Sequence, residues 1–290
     1  MMNHNRNSRV YLIKAIGLWF AIVIITIIVI SPSVWLFLTS LKHPMEIFRW
    51  PPTIFPQQLS FEGYKSIFHG YDSRRGSYVP IMGNLYNSLV VGLISSIFSL
   101  IIGSMAAYVF ARGKIPYGKS IFLTIMVLRT IPLIALAVPL YKLIGYFGLI
   151  NTLTGLTITH LVITFPIVMF VMYNYFSLFP SEIEDAAQID GCGPFGIFLK
   201  IIVPISAPSL ASSLILAFVF SYNEFLFALT LLSDNNRMTL PVGLASTIST
   251  HGINWDLLSS AGTIAVIPCV FIALYVQRYL LKGLWSGAIK

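Results

Sequence analysis

The stretch Ser181–Pro208, SEIEDAAQIDGCGPFGIFLKIIVPISAP, decides how the rest of the chain is read. Ser181 follows Pro180 and stands three residues before Glu184, which is the spacing of a capping box. Glu182, Glu184 and Asp185 fall in the first turn of the expected helix, where the helix dipole favours carboxylates. Ala186 and Ala187 keep one surface low, so another backbone can come close. Asp190-Gly191 ends the helix, because Gly191 can take a positive φ and reverse the chain. A second short helix is expected from Gly193 to Ile202, with Phe195, Phe198, Leu199 and Ile202 on one apolar face. Pro204 and Pro208 then open the next apolar run. The first helix, about nine residues, is about 14 Å long and cannot cross a bilayer. An acidic start with a small-residue centre suits insertion into a cleft on a soluble partner. The plain alternative is an interfacial loop helix with an accidental cap.

The flanking sequence is that of a membrane protein. Of 290 residues, 57% are hydrophobic and only 10% charged. No charged residue lies between Lys14 and Lys42, Arg75 and Arg112, Lys142 and Glu182, or Asp256 and Arg278. A spanning helix needs about 20 mostly apolar residues, and these runs supply them. Six spans are expected, at about 15–39, 84–111, 119–141, 153–177, 204–230 and 259–280. The first apolar run is too long for a signal peptide and reads as a retained span. Arg6, Arg9 and Lys14 precede span 1; Arg112, Lys114 and Lys119 sit between spans 2 and 3; Lys282 and Lys290 follow span 6. Six spans put all three clusters on one side, which is then cytoplasmic.

The expected organisation is a cytoplasmic N-terminal tail (1–14), a permease domain (15–281) and a cytoplasmic C-terminal tail (282–290). Within the domain lie an external loop (40–83), broken by Pro51, Pro52 and Pro56, and a cytoplasmic loop (178–203). The net charge of +8 is explained by orientation, since no basic groove or aromatic–basic interleaving suggests nucleic acid. Cys192 and Cys269, both placed near the cytoplasmic side, read as free thiols.

Four residues inside the spans stand out. Arg129 and Pro132 interrupt span 3: either they face a cavity, or Arg129 lies nearer a polar surface. Asn223 and Glu224 sit late in span 5. They line a gate or bind hydroxyls, or else they are buried structural partners, for instance of Asn84 or Asn87. His160, in span 4, reads as a satisfied packing residue. No histidine–carboxylate cluster suits a metal, no nucleophile–base pair suits catalysis, and no Gly-rich loop with Lys and Ser/Thr suits a nucleotide. No cofactor and no enzymatic activity are expected.

These residues resemble the inner-membrane permease subunits of binding-protein-dependent ABC importers. The family's Glu-Ala-Ala triplet appears as Asp185-Ala186-Ala187, its Asp-Gly pair as Asp190-Gly191, and its late apolar-proline step as Val203-Pro204. Asp185 replaces the usual Glu, and Cys192 stands where Ala or Ser is common. Asn84–Leu89, Ala106–Tyr108 with Ala111-Arg112, Pro132 with Pro139-Leu140, Tyr222–Phe225, Leu240–Leu244, Gln277–Tyr279 through Gly283, and Gly287–Lys290 are similar to further family patterns in the right order. The likeness is greatest to the carbohydrate-uptake branch, and within it to the maltose-permease G-type subunit.

The resemblance implies an all-α polytopic membrane protein with the type I importer permease fold, six transmembrane helices and a cytoplasmic coupling-helix loop, in a bacterial inner or plasma membrane. It implies two cytoplasmic ATPases, a second and different permease subunit, an extracytoplasmic solute-binding protein and a sugar cargo. Coupling falls to Glu184, Asp185, Ala186, Ala187, Asp190 and Gly191. Phe195 and Phe198 pack either on the ATPase or on the chain's own spans. Arg129, Pro132, Asn223 and Glu224 are candidates for a gate or path. The alternatives are a polyol or glycerol-phosphate cargo, or an ion-coupled secondary transporter, for which Glu224 is the one carboxylate late in a span.

Overall fold

The computed structural model describes the backbone of residues 2–72, 77–78, 80–113, 115–249 and 252–287, and side chains over 14–71, 78, 80–113, 115–248 and 253–275. Met1, Arg74, Arg75, Lys114 and Lys290, and the side chains of residues 2–13 and of Lys282, therefore lie outside the described residues. Two compact units are present: residues 1–76 with 247–264, and residues 77–246 with 265–290.

The first unit is built on α1 (Met2–Ser40), which holds an apolar span from Lys14 to Ser40. Beyond it come α2 (Pro44–Ile47) and α3 (Glu62–His69). α3 stops at Gly70 in the left-handed region. A small hairpin pairs Ile248–Ser249 with Gly252–Ile253. The hydroxyl of Ser40 bonds Tyr64 at 2.7 Å, and Ser260 Oγ donates to the Ser40 carbonyl at 3.4 Å. The prolines between 51 and 56 keep this segment out of long helices, as expected.

The second unit runs α4 (Ile81–Ala111), α5 (Gly118–Leu128), α6 (Leu133–Tyr146), α7 (Leu153–Ser177), α8 (Glu182–Ile189), α9 (Pro194–Ile197), a π-helical turn at Phe198–Ile202, α10 (Val203–Ile205), α11 (Ala207–Tyr222), α12 (Leu226–Leu231) and α13 (Leu240–Ser246). α14 (Trp255–Gly287) begins in the first unit and continues into the second. Among the described residues, four helices are long and apolar enough to cross a membrane, and two bent pairs bring the count to six if each is one span.

α4, α7 and α11 form the centre of the second unit. Gly92, Ser95, Ser99 and Gly103 recur at helical spacing on the buried side of α4. Lipid gives no hydrophobic drive for helices to associate, so small residues that allow close backbones, and hydroxyls that bond across, supply the adhesion. Ser95 Oγ meets Ser221 Oγ at 2.9 Å, and Ser99 Oγ meets Thr164 Oγ1 at 2.6 Å. The outward faces carry Ile94, Ile97, Phe98 and Ile101, all exposed, as suits a lipid-facing surface.

Several span boundaries differ from the sequence expectation. The third span, expected as one kinked helix over 119–141, is two helices set at 100°. Pro132 takes extended backbone (ψ 131°) at the N-cap of α6, so the break is a corner and not a bend. The fifth, expected over 204–230, starts only after an 81° turn between Pro194–Ile205 and Ala207–Tyr222, and it breaks again at Asn223–Phe225. α14 stays helical through Gly287, so the proposed C-terminal tail from 282 is largely a helix continuation, with 288–290 outside the described residues.

Candidate functional site

The loop after α7 holds a buried ion pair and a set of hydrogen bonds around Glu184. α8 begins at Ser181, but the capping box does not form. Ser181 has helical backbone (φ −72°, ψ −23°) and its side chain makes no capping bond. An N-cap side chain needs extended backbone to reach back over the first turn.

Glu184 is used elsewhere. It is 5% exposed, and its carboxylate is gripped from the end of α4. Arg112 Nε donates to Oε1 at 2.7 Å, Arg112 Nη2 pairs with the same oxygen, and Tyr108 Oη donates to Oε2 at 2.9 Å. Arg112 Nη1 also donates to the carbonyls of Phe176 (3.0 Å) and Phe179 (3.3 Å). Phe176 lies in the last turn of α7 and Phe179 just beyond its end, where a cation is favoured. One guanidinium thus ties α4, α7 and α8 together. Sequence reading counted Arg112 only as an orientation charge and a family match, because its partner lies 72 positions away.

α8 divides into two sides. Glu184 and Ala187 face the chain's own core, while Asp185, Ala186, Gln188, Ile189 and Asp190 are exposed. Ala187 joins a cluster with Phe176, Phe198 and Ile202, so of the two alanines only Ala186 lies on the open side. Gly191 has φ +82°, and it stops α8 with a double bond pattern: Cys192 N–H donates to Ala187 O and Gly191 N–H to Gln188 O, both at 3.0 Å. This is a Schellman stop.

The expected four-residue apolar face of the next helix splits. Phe198 and Ile202 are buried, whereas Phe195 and Leu199 are exposed. Phe195 stands in α9, while Phe198, Leu199 and Ile202 lie in the π-helical turn that follows it. Phe198 packs on Tyr108 with ring centroids 5.2 Å apart, which settles it on the chain's own helices. Phe195 is 62% exposed.

A second polar centre lies at the α11–α12 break. Glu224 is 6% exposed and accepts from the backbone N–H groups of Phe227 (2.8 Å) and Ala228 (3.2 Å), capping α12. Its Oε2 is 3.2 Å from His160 Nε2, His160 Nδ1 is 2.6 Å from Ser221 Oγ, and Ser221 reaches Ser95. Glu224 is therefore a buried structural group whose partner is His160, not Asn84 or Asn87. Asn87 instead donates to the carbonyls of Asn236 and Met238. The sequence offered a signal for this pairing, since His160 and Glu224 are both ionisable groups inside apolar runs and such groups pair.

Asn223 is exposed, with Nδ2 donating to Val219 O at 2.8 Å. Arg129 and Pro132 are also exposed at the α5–α6 corner, and the Arg129 guanidinium carbon lies 5.6 Å from the centroid of Phe220 on α11. The four residues named as a path thus separate: Arg129, Pro132 and Asn223 present open surface, and Glu224 does not. Among the described residues no cluster of His, Cys, Asp and Glu fits a metal ion.

These features define a multi-pass, all-α inner-membrane protein with the type I ABC importer permease fold. The fold matches that of a bacterial ABC transporter involved in the import of the acidic polysaccharide alginate, with a TM-score of 0.76, 20% identity, and coverage of 94% of this chain and 98% of that chain. Residues 81–286 match the family described as binding-protein-dependent transport system inner membrane component, and the chain belongs to that family. Among curated relatives, the arabinooligosaccharides transport system permease protein of Bacillus subtilis is 32% identical over 100% of both chains. The sulfoquinovosyl glycerol transport system permease protein of Agrobacterium fabrum is 32% identical over 89% of this chain and 88% of its own. The trehalose/maltose transport system permease protein of Thermococcus litoralis is 30% identical over 96% and 98%.

Proposed function

We propose that this chain is one permease half of an ATP-driven, binding-protein-dependent sugar importer, of the G-type subunit class of maltose-type systems. The cargo class is supported by the relatives above, named for transport of arabinooligosaccharides, sulfoquinovosyl glycerol and trehalose/maltose. The other parts are two ATPases, a second permease and a binding protein. The termini and the loop at 178–203 are cytoplasmic; the loop at 40–83 is external.

The observation that carries the mechanism is the two-sided build of α8. Its inner side is locked to α4 and α7 through Glu184 and Arg112, and its outer side presents Asp185, Ala186, Ile189 and Asp190. A helix seated in an ATPase groove by its outer side moves when the ATPases close. The buried clasp carries that displacement into α4 and α7, which form the packed centre with α11. A loosely attached helix would tilt in its groove and lose the stroke. Ile189 is 86% exposed, so it supplies the apolar anchor that the sequence reading did not single out. Asp185 and Asp190 flank it with carboxylates for charge-assisted bonds.

Affinity purification of the intact chain in mild detergent tests this assembly. Two ATPases and a second permease per complex are expected, and the companion binding protein should retain a sugar. A chain recovered alone or as a homodimer across several detergents would overturn the proposal. A binding protein that retains only a polyol or glycerol phosphate would reassign the cargo.

A further inference from the structure

A cavity of about 330 Å³ opens in the first unit, near the end of the α1 span. Its walls include Trp35, Trp255, Lys42, Glu46, Thr53 and Phe48. This volume falls at the small end of the range for small-molecule sites, about 300–1,000 Å³. Trp35 and Trp255 are 46% and 40% exposed, so both keep indole surface open.

The charged groups in the wall are fixed. Lys42 is only 3% exposed; its ammonium donates to the carbonyl of Thr53 and stands 4.6 Å from the centroid of the Trp35 ring. Glu46 accepts from Thr53 Oγ1 at 2.6 Å and from the Gln57 N–H at 3.0 Å. The Thr53 bond chiefly, with the backbone donors and Lys42, holds its carboxyl below the ordinary carboxylate range, so it is ionised at neutral pH. One cation and one anion leave the wall close to neutral overall. A second cavity, of about 170 Å³, shares Ile47, Phe48 and Trp255 with the first and adds Asn254 and Asp256.

Interfacial tryptophans alone are ordinary membrane anchors. Anchoring does not account for a buried Lys42 and a hydrogen-bonded Glu46 lining the same cavity. An aliphatic chain would leave both charges facing hydrocarbon, which is costly. A phosphate headgroup would set its charge beside Glu46. A neutral ring of hydroxyls fits both demands: its C–H face lies on an indole, and its hydroxyls donate to the carboxylate and accept from the ammonium.

We infer that this cavity binds one ring of a neutral saccharide on the outer cap of the subunit. The inference rests on the sugar-importer reading and on the external placement of residues 40–83.

The test uses the full complex, without binding protein, in nanodiscs of phosphatidylcholine. Saturation-transfer NMR is recorded with methyl α-glucopyranoside, methyl β-galactopyranoside, arabinose and trehalose as probes. Transfer to at least one probe is expected. The Kd obtained by titrating the responding probe should rise about tenfold or more, a change worth about 1.4 kcal/mol, in Trp35→Ala and in Trp255→Ala. It should be unchanged in Trp19→Ala, whose indole is 67% exposed on the same helix but does not line the cavity. Should either alanine variant fail to assemble, Trp35→Phe keeps a ring and should weaken the signal partially.

Absence of transfer to all four probes, or transfer indifferent to both tryptophans, would overturn the inference. So would native mass spectrometry showing phosphatidylglycerol retained by the wild-type complex and lost in Trp35→Ala, since the occupant would then be a headgroup. Sugar uptake with the binding protein restored is read on the same preparations. A complex that imports sugar but shows no tryptophan-dependent transfer removes this site and leaves the importer reading intact.

Discussion

At the residue scale, Arg112 and Glu184 form a bond whose loss is asymmetric. Removing the cation leaves a 5% exposed carboxylate without its main partner. Breaking a buried pair from one side typically costs about 3–5 kcal/mol. Arg112→Ala is expected to lower the melting temperature of the complex and to reduce uptake. Arg112→Ala with Glu184→Leu should recover much of the stability but not the uptake, because no rigid tie is restored. A double-mutant cycle on melting and transport checks this. The outer side of α8 should behave oppositely. Ile189→Glu and Ala186→Trp touch only exposed positions, so stability should change by less than about 0.5 kcal/mol. Recovery of the ATPases on affinity purification should nevertheless collapse. Retention of the ATPases in both variants would show that the partner does not seat on this face. Ala187→Trp, at a buried position, should instead destabilise the fold itself.

At the element scale, helix ends and breaks carry the design. Gly191 holds φ +82°, so Gly191→Ala should weaken the stop of α8 by about 1 kcal/mol, and Gly191→Asn by less. Hydrogen exchange of the α8 amides reads the difference. Glu224→Leu would strip α12 of its cap and leave the Phe227 and Ala228 N–H groups unpaired, at about 1–3 kcal/mol each. A lowered melting temperature with faster exchange in Leu226–Leu231 is expected; an unchanged α12 would refute the capping role. Much of this layer was legible beforehand. Long charge-free runs gave the spans, and Asp190-Gly191 gave the end of α8. What was not legible depended on contacts across the chain. The capping box between Ser181 and Glu184 satisfied every local rule, yet Arg112 and Tyr108 offered Glu184 a stronger, charge-assisted alternative. Pro132 foretold a bend, but hydropathy along the chain carries no angle, so a 100° corner read as a single span. The π-helical turn at Phe198–Ile202 likewise has no local marker; Phe195, before it, is exposed, and Phe198, at its start, is buried.

At the scale of the whole molecule, the expected arrangement is testable by access from either side of the membrane. In a background with Cys192 and Cys269 replaced by Ser, Ser60→Cys should react with an impermeant thiol reagent in intact cells. Lys119→Cys, at an exposed position outside α8, should react only after the membrane is opened. The reverse pattern would invert the orientation. The same view gives a final consequence to the buried pairing of Glu224 with His160. Both Glu224 carboxylate oxygens are engaged, by two backbone donors and an imidazole, and the other carboxylate at a candidate span, Asp256, is buried at the start of Trp255–Tyr275. A carrier that runs on an ion gradient needs a group free to take up and release its ion during each cycle. Here that group is mortared into the frame. Transport in sealed vesicles supplied with ATP should therefore continue after an uncoupler has dissipated the proton gradient, and an imposed gradient without ATP should move nothing.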